Sequence, residues 1–159
     1  MKTIEDSITV EVPLSRAYNQ WTQFEEFHLF MEGVKEVKQL DDKRMHWKAE
    51  IAGRTKEWDA EIVEQVPDQR IAWRSTEGAK NAGTVTFTSS GVNQTKVVLH
   101  LEYDPEGVVE NVGDAFGVVS TRVAGDLKRF KEFIEKRAAT GGWRGEIHGQ
   151  EVQPAGSPA

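Results

Sequence analysis

The sequence has no cysteine, and this absence excludes several kinds of site. Without thiols the chain forms no disulfide, no thiolate–zinc centre and no cysteine nucleophile. It also lacks an apolar run of about 18 residues, the length that a membrane-spanning helix needs. Residues 1–12 carry acids and strand-like alternation in place of the apolar block of a secretory signal. We therefore expect a cytoplasmic protein with no integral membrane segment.

Positive charge is scarce as well, because 20 Lys and Arg stand against 26 Asp and Glu, a net charge of −6. Surfaces that bind nucleic acid need clustered lysine and arginine to neutralise phosphates. We therefore expect no nucleic-acid partner. A length of 159 residues favours one globular domain that can bury its own core.

Familiar catalytic and metal-binding motifs are missing too. The sequence has no nucleophile elbow, no phosphate-binding glycine loop and no zinc-protease helix motif. The four histidines, which are too scattered to suggest a metal site, are His28, His46, His100 and His148. We expect no metal and no cofactor.

Two neighbouring carboxylates, Asp59 and Glu61, have the spacing of a general acid–base pair. Both are also predicted to face an opposite charge across a strand pair. Opposite charges in that position stabilise a solvated sheet face. We therefore interpret the two carboxylates as ion-paired surface residues.

Alternating apolar and polar residues predict most of the secondary structure. One strand is predicted over residues 7–12, and Pro13 then begins a helix, since its fixed φ suits the first turn. A second short helical segment covers residues 24–31. Apolar and polar residues alternate again over residues 34–104, and this pattern predicts six further strands.

The end of the strand region, Asp104-Pro105, is typical of a helix start. Apolar residues at steps of three and four continue that helix to about Arg137. Strands joined by short turns make an antiparallel meander, and its single apolar face needs a cover. The predicted fold class is α+β: a curved antiparallel sheet of about seven strands wrapped around a long C-terminal helix, with two short helices after strand one.

Two tryptophans flank a predicted two-residue hairpin turn at residues 53–54. The expected register places Trp47 opposite Ala60. It also places Trp58 opposite Ala49, so that each indole faces a methyl group.

A second turn, at Pro67, pairs Ile62 with Trp73. Trp73 then shares the apolar face with Trp47 and Trp58. Three indoles on this face either fill the core or form the wall of a small-molecule cavity. Their flat rings, opposite a helix that carries glycine, favour the cavity.

Three segments resemble a known superfamily. They are VPLSRAYNQWTQFEEFHLFMEGVKEV, KEWDAEIVEQVPDQRIAWRS and LEYDPEG. Residues Lys2 to Arg137 are similar to the START-like, or SRPBCC, superfamily, above all to its polyketide cyclase/dehydrase-type members, which include coenzyme-Q-binding proteins. The resemblance implies a helix-grip fold with a hydrophobic cavity between sheet and long helix. We assign this domain to residues 1–138 and expect the Gly- and Pro-rich residues 139–159 to be a disordered tail.

The predicted ligand-binding residues are aromatic residues of the short helices and the apolar sheet face, with residues of the long helix. They are Trp21, Phe24, Phe27, Phe30, Trp47, Trp58, Trp73, Phe87, Tyr103, Phe116, Gly117 and Ser120. The small residues of the helix serve either close packing against the sheet or space for a ligand.

No carboxylate–histidine–nucleophile constellation emerges, so no catalytic residue is assigned. The candidates are the few polar groups that can point inward, namely Tyr103, Ser75 and Glu25. For Tyr103, a hydrogen-bonded tyrosine of the core is the favoured interpretation.

The leading hypothesis is a carrier or sensor that binds a small hydrophobic or aromatic ligand, such as a lipid, a quinone or a polyketide-like molecule. The first alternative is a cyclase or dehydratase acting on a polyketide or a similar aromatic precursor. The second is a protein-interaction module. The missing catalytic constellation favours a protein without enzymatic activity. We expect the protein to be a monomer or a homodimer.

Overall fold

The computed structural model describes residues 2–51, 53–104, 115–137 and 143–154. Seven strands form one antiparallel path in the order β1-β7-β6-β5-β4-β3-β2. They are β1 (Lys2–Val10), β2 (Val34–Gln39), β3 (Arg44–Ile51), β4 (Arg54–Val66), β5 (Arg70–Gly78), β6 (Asn81–Gly91) and β7 (Gln94–Tyr103). The predicted antiparallel meander is present, and two short C-terminal strands, described below, bring the sheet to nine strands where about seven were expected.

The helices occupy the predicted places. Helix α1 (Leu14–Trp21) follows Pro13, and a 3₁₀ helix (Phe24–Leu29) comes next. The long helix α2 spans Ala115–Lys136, while its predicted start at Pro105 lies outside the described residues. None of the described helices is long and apolar enough to cross a membrane.

Helix α2 packs on the apolar face of the sheet. Its buried side chains are those of the predicted apolar stripe, namely Val119, Val123, Leu127, Phe130 and Ile134. The arrangement is the α+β helix-grip fold, in which a curved sheet wraps a C-terminal helix.

The β3–β4 register differs from the predicted one by two residues. Trp47 lies opposite Trp58, and Ile51 pairs with Arg54. The turn therefore sits one residue earlier than expected, with Gly53 in the left-handed region at φ 77°. A shift of two residues keeps every side chain on its predicted face. It replaces the expected large-against-small pairs with two facing indoles.

The β4–β5 register matches the prediction. Ile62 pairs with Trp73, and Ala60 pairs with Ser75. Across the next strand pair, Trp73 lies opposite Gly83. The large-against-small contact expected at the first hairpin is thus found here.

The outer face of the sheet is charged, and the interpretation of the two carboxylates is confirmed. Asp59 Oδ1 lies 2.6 Å from His46 Nδ1, and Glu61 Oε1 lies 2.6 Å from Arg74 Nη2. Hydrogen bonds to Asp59 and Glu57 raise the pKa of His46. Among the described residues, no group of three or more His, Asp or Glu could hold a metal ion.

The expectation of a disordered tail is wrong for residues 146–153. They form a hairpin of β8 (Glu146–His148) and β9 (Glu151–Gln153), which brings the sheet to nine strands. Strand β8 pairs with β4 at Glu64 and Gln65, beyond the end of the β3–β4 pairing. Strands of three residues are too short for an alternating pattern to reveal them.

Arg144 fixes the chain just before this hairpin. It forms an ion pair with Asp68 (2.7 Å) and donates a hydrogen bond to Asn19 Oδ1 (2.6 Å). Its guanidinium also lies 5.5 Å from the centre of the Tyr18 ring. Burial raises the pKa of Tyr18 to about 12, so its hydroxyl stays protonated at neutral pH.

Ile147→Ala tests the docked tail. The side chain of Ile147 is fully buried, so its truncation is expected to lower the free energy of unfolding by about 2–5 kcal/mol. Urea unfolding measures the change, and Glu151→Ala, at an exposed position of the same hairpin, is the control. Equal stability of the two variants would contradict a docked tail.

Candidate ligand cavity

A cavity of about 180 Å³ lies between the apolar face of the sheet and α2. Its described lining comes from both short helices, six strands and α2. The lining residues are Trp21, Phe24, Phe27, Met31, Glu32, Val34, Met45, Trp47, Ala49, Trp58, Ile62, Ile71, Trp73, Ala79, Asn81, Leu99, Leu101, Tyr103, Val119, Arg122, Val123, Asp126 and Leu127.

One wall of the cavity is aromatic. The Trp47 and Trp58 rings stack with centroids 5.6 Å apart and an interplanar angle of 11°. The Phe27 ring centroid lies 5.6 Å from that of Trp47, with the two rings tilted at 47°. Such flat rings, fixed against one another, give an apolar wall that a planar ligand can contact face to face.

The third indole is held by a hydrogen bond. Trp73 Nε1 donates to Asn81 Oδ1 at 3.1 Å, and Asn81 Nδ2 donates to the Ala79 carbonyl at 3.0 Å. The backbone N–H of Asn81 donates in turn to Ser75 Oγ at 3.0 Å. Asn81 therefore orients the ring of Trp73 and satisfies its only polar atom.

A second polar region lies where α2 meets the segment after the 3₁₀ helix. Asp126 Oδ1 accepts hydrogen bonds from Arg129 (2.6 Å) and from the backbone N–H of Glu32 (3.0 Å). Burial raises the pKa of Asp126, and these hydrogen bonds act in the opposite direction. Glu32, Arg122 and Asp126 bring charge to an otherwise apolar lining.

Seven of the predicted ligand-binding residues line this cavity: Trp21, Phe24, Phe27, Trp47, Trp58, Trp73 and Tyr103. Phe30 and Phe87 are buried but lie outside the lining. Phe30 packs on Phe130 at 5.1 Å and Phe87 on Tyr18 at 5.5 Å, so both belong to the core.

The three ligand-binding residues predicted on the long helix are not found in the described lining. Ser120 is half-buried and is not part of the lining. Beyond their helical backbone, Phe116 and Gly117 lie outside the described part of the structure.

The three catalytic candidates are not brought together. Tyr103 is buried and lines the cavity. Ser75 lies outside the lining and its hydroxyl accepts the Asn81 N–H. Glu25 is exposed and accepts a hydrogen bond from the backbone N–H of Gln39 at 3.0 Å. Of these candidates, only Tyr103 lines the cavity.

Sequence reasoning missed four polar or charged lining residues, namely Glu32, Asn81, Arg122 and Asp126. The last two carried a signal, because Arg122 follows Val119 by three residues and Asp126 follows Val123 by three, so that both flank the apolar stripe. Asn81 had no such signal, since its role depends on the β5–β6 turn.

The chain belongs to the polyketide cyclase/dehydrase and lipid transport family, whose model matches residues 10–132. This confirms the START-like resemblance.

A Streptomyces lincolnensis protein, an uncharacterized 17.2 kDa protein in the melC2-rnhH intergenic region, is 50% identical over 149 residues, covering 92% of this chain and 99% of that one. A crystal structure of a Deinococcus radiodurans protein is 31% identical with a TM-score of 0.68, covering 85% of this chain and 98% of that one. The Zhui aromatase/cyclase from Streptomyces sp. R1128 is similar in fold, with a TM-score of 0.73 at 18% identity and coverage of 88% and 98%.

Gly83→Ala tests the packing of the cavity wall. A Cβ at this position would lie 2.5 Å from two ring atoms of Trp73, so the indole must move. Overpacking of this kind is expected to lower the free energy of unfolding by about 1–3 kcal/mol. Urea unfolding measures it against Gly91→Ala, where the added Cβ stays at least 3.4 Å from its neighbours. No difference between the two variants would mean that Trp73 is free to shift.

Proposed function

We propose that this protein binds a small apolar molecule with an aromatic ring system in the cavity and acts as a carrier or a sensor. The observation that carries the proposal is a cavity of about 180 Å³ whose wall includes the stacked Trp47–Trp58 pair and Trp73. An apolar cavity of about 150 Å³ engineered in another protein binds benzene. The space here therefore suits a small ring system, and a longer ligand needs the wall to move.

The family supports this proposal, since its description joins lipid transport with polyketide cyclisation. Both activities need an apolar pocket that shields a ligand from water. A cavity of this kind also favours ligand binding over the alternative of a protein-interaction module.

The expected affinity follows from the apolar surface area that the ligand buries. A ligand that buries roughly 150–250 Å² of apolar surface gains about 4–6 kcal/mol at 25 cal/mol per Å². This corresponds to a dissociation constant between about 1 mM and tens of µM. Naphthalene is a suitable first probe, and quenching of tryptophan fluorescence is a suitable signal, because four indoles line the space.

Val123→Phe tests the cavity as the binding site. Val123 is buried on α2 and lines the cavity, so a larger ring at this position occupies the ligand's space. We expect the affinity for naphthalene to fall at least about tenfold. Ala124→Phe, at the next and exposed position of the helix, is expected to leave the affinity unchanged. Equal affinity of the two variants would refute the site, and thermal unfolding verifies that both are folded.

The second candidate function is cyclisation or dehydration of a polyketide-like chain. It is favoured by the position of Tyr103, a buried phenol in the cavity lining, and by the fold shared with an aromatase/cyclase. Here the cavity would orient a flexible chain and Tyr103 would assist proton transfer.

Tyr103→Phe separates this candidate from simple binding. If a synthetic poly-β-ketone is turned over, loss of the hydroxyl is expected to slow the reaction by about 10²–10⁴-fold, measured by chromatography of the cyclised product. Affinity for naphthalene serves as the control and is expected to stay within twofold. Turnover that survives the substitution would remove Tyr103 from the chemistry.

A further inference from the structure

One side of the cavity differs from the rest because it carries charge. Arg122 and Asp126 stand one helical turn apart on α2, and Glu32 faces them from the segment that leads into β2. Of the described residues that line the cavity, Arg122 is the only cation. Its surroundings decide whether its charge is available to a ligand.

The two acids are already neutralised by a different arginine. Arg129 Nη2 lies 2.6 Å from Asp126 Oδ1, and Arg129 Nη1 lies 3.2 Å from Glu32 Oε2. Arg129 also donates to the Phe30 carbonyl at 3.0 Å. One guanidinium therefore bridges both carboxylates, which weakens their repulsion of a further anion.

Arg122 is held by neutral groups instead. Its Nη1 donates to the Glu32 carbonyl at 2.7 Å and to the Glu50 carbonyl at 3.3 Å. Within the part of the chain that the structure describes, no carboxylate lies within 4.0 Å of its nitrogens, and Nε and Nη2 donate no hydrogen bond. A guanidinium offers five donors in a planar fork that matches the two oxygens of a carboxylate.

We infer that Arg122 binds an anionic carboxylate of the ligand, so that the ligand class is an aromatic carboxylate. The ring system then contacts the tryptophan wall, and the carboxylate meets the charged side of the cavity at Arg122. The inference rests on the proposed function, since it assigns a ligand class to the same cavity.

Three probes of one ring system test it: 2-naphthoate, 2-naphthamide and naphthalene. A charge-assisted hydrogen bond predicts that the full-length protein binds 2-naphthoate about tenfold to a hundredfold more tightly than 2-naphthamide, measured at pH 7 by calorimetry. Arg122→Gln is expected to abolish this preference. Lys128→Gln, an exposed position of the same helix with the same change of charge, is expected to keep the preference.

The outcomes distinguish a failure of the ligand class from a failure of the cavity as the binding site. If naphthalene binds and the wild-type protein shows no preference for the carboxylate, the ligand class is overturned and the cavity stands as the binding site. A preference that survives in Arg122→Gln equally overturns the role of Arg122. If none of the three probes binds, the proposed function fails with it. The comparison of 2-naphthoate with 2-naphthamide needs no variant, so the test stands even if Arg122→Gln does not fold.

Discussion

The contact between α2 and the apolar face of the sheet is the constraint on which the rest of the structure depends. The C-terminal half of the helix is packed tightly, and Phe130 and Ile134 are only 0% and 1% exposed. Towards the N-terminus, Val119 and Val123 are 7% and 6% exposed and line the cavity. One amphipathic helix thus supplies both a packed core and a cavity wall, at opposite ends.

The aromatic rings and the charged residues around the cavity are both fixed by contacts within the protein. Stacking of Trp47 on Trp58 and the hydrogen bond between Trp73 and Asn81 restrict three side chains before any ligand arrives. A wall that is already ordered reduces the entropy lost on binding. In the charged part of the lining, pairing of Asp126 with Arg129 keeps a half-buried carboxylate compatible with an apolar space.

The sequence predicted the faces of the sheet better than its details. Alternation of apolar residues placed Trp47, Trp58 and Trp73 on one side, because that property depends only on odd or even position. The register of the first hairpin depended instead on which residue adopts a left-handed conformation, and a single glycine fits two neighbouring turns. The charged part of the lining was not predicted, because tertiary contacts determine the pairing of Arg129 with two acids. The START-like resemblance predicted the fold, but it covered the chain only to Arg137 and therefore did not include the C-terminal hairpin.

The position of β8 has a consequence for association between molecules. Pairing of β3 with β4 ends at Glu61, and β8 continues along the same side of β4 at Glu64 and Gln65. Unpaired backbone groups at a sheet edge are a template on which another chain can add a strand. The C-terminal segment occupies that template within its own molecule. A chain truncated before Trp143 would expose it to intermolecular strand addition, and thus to aggregation.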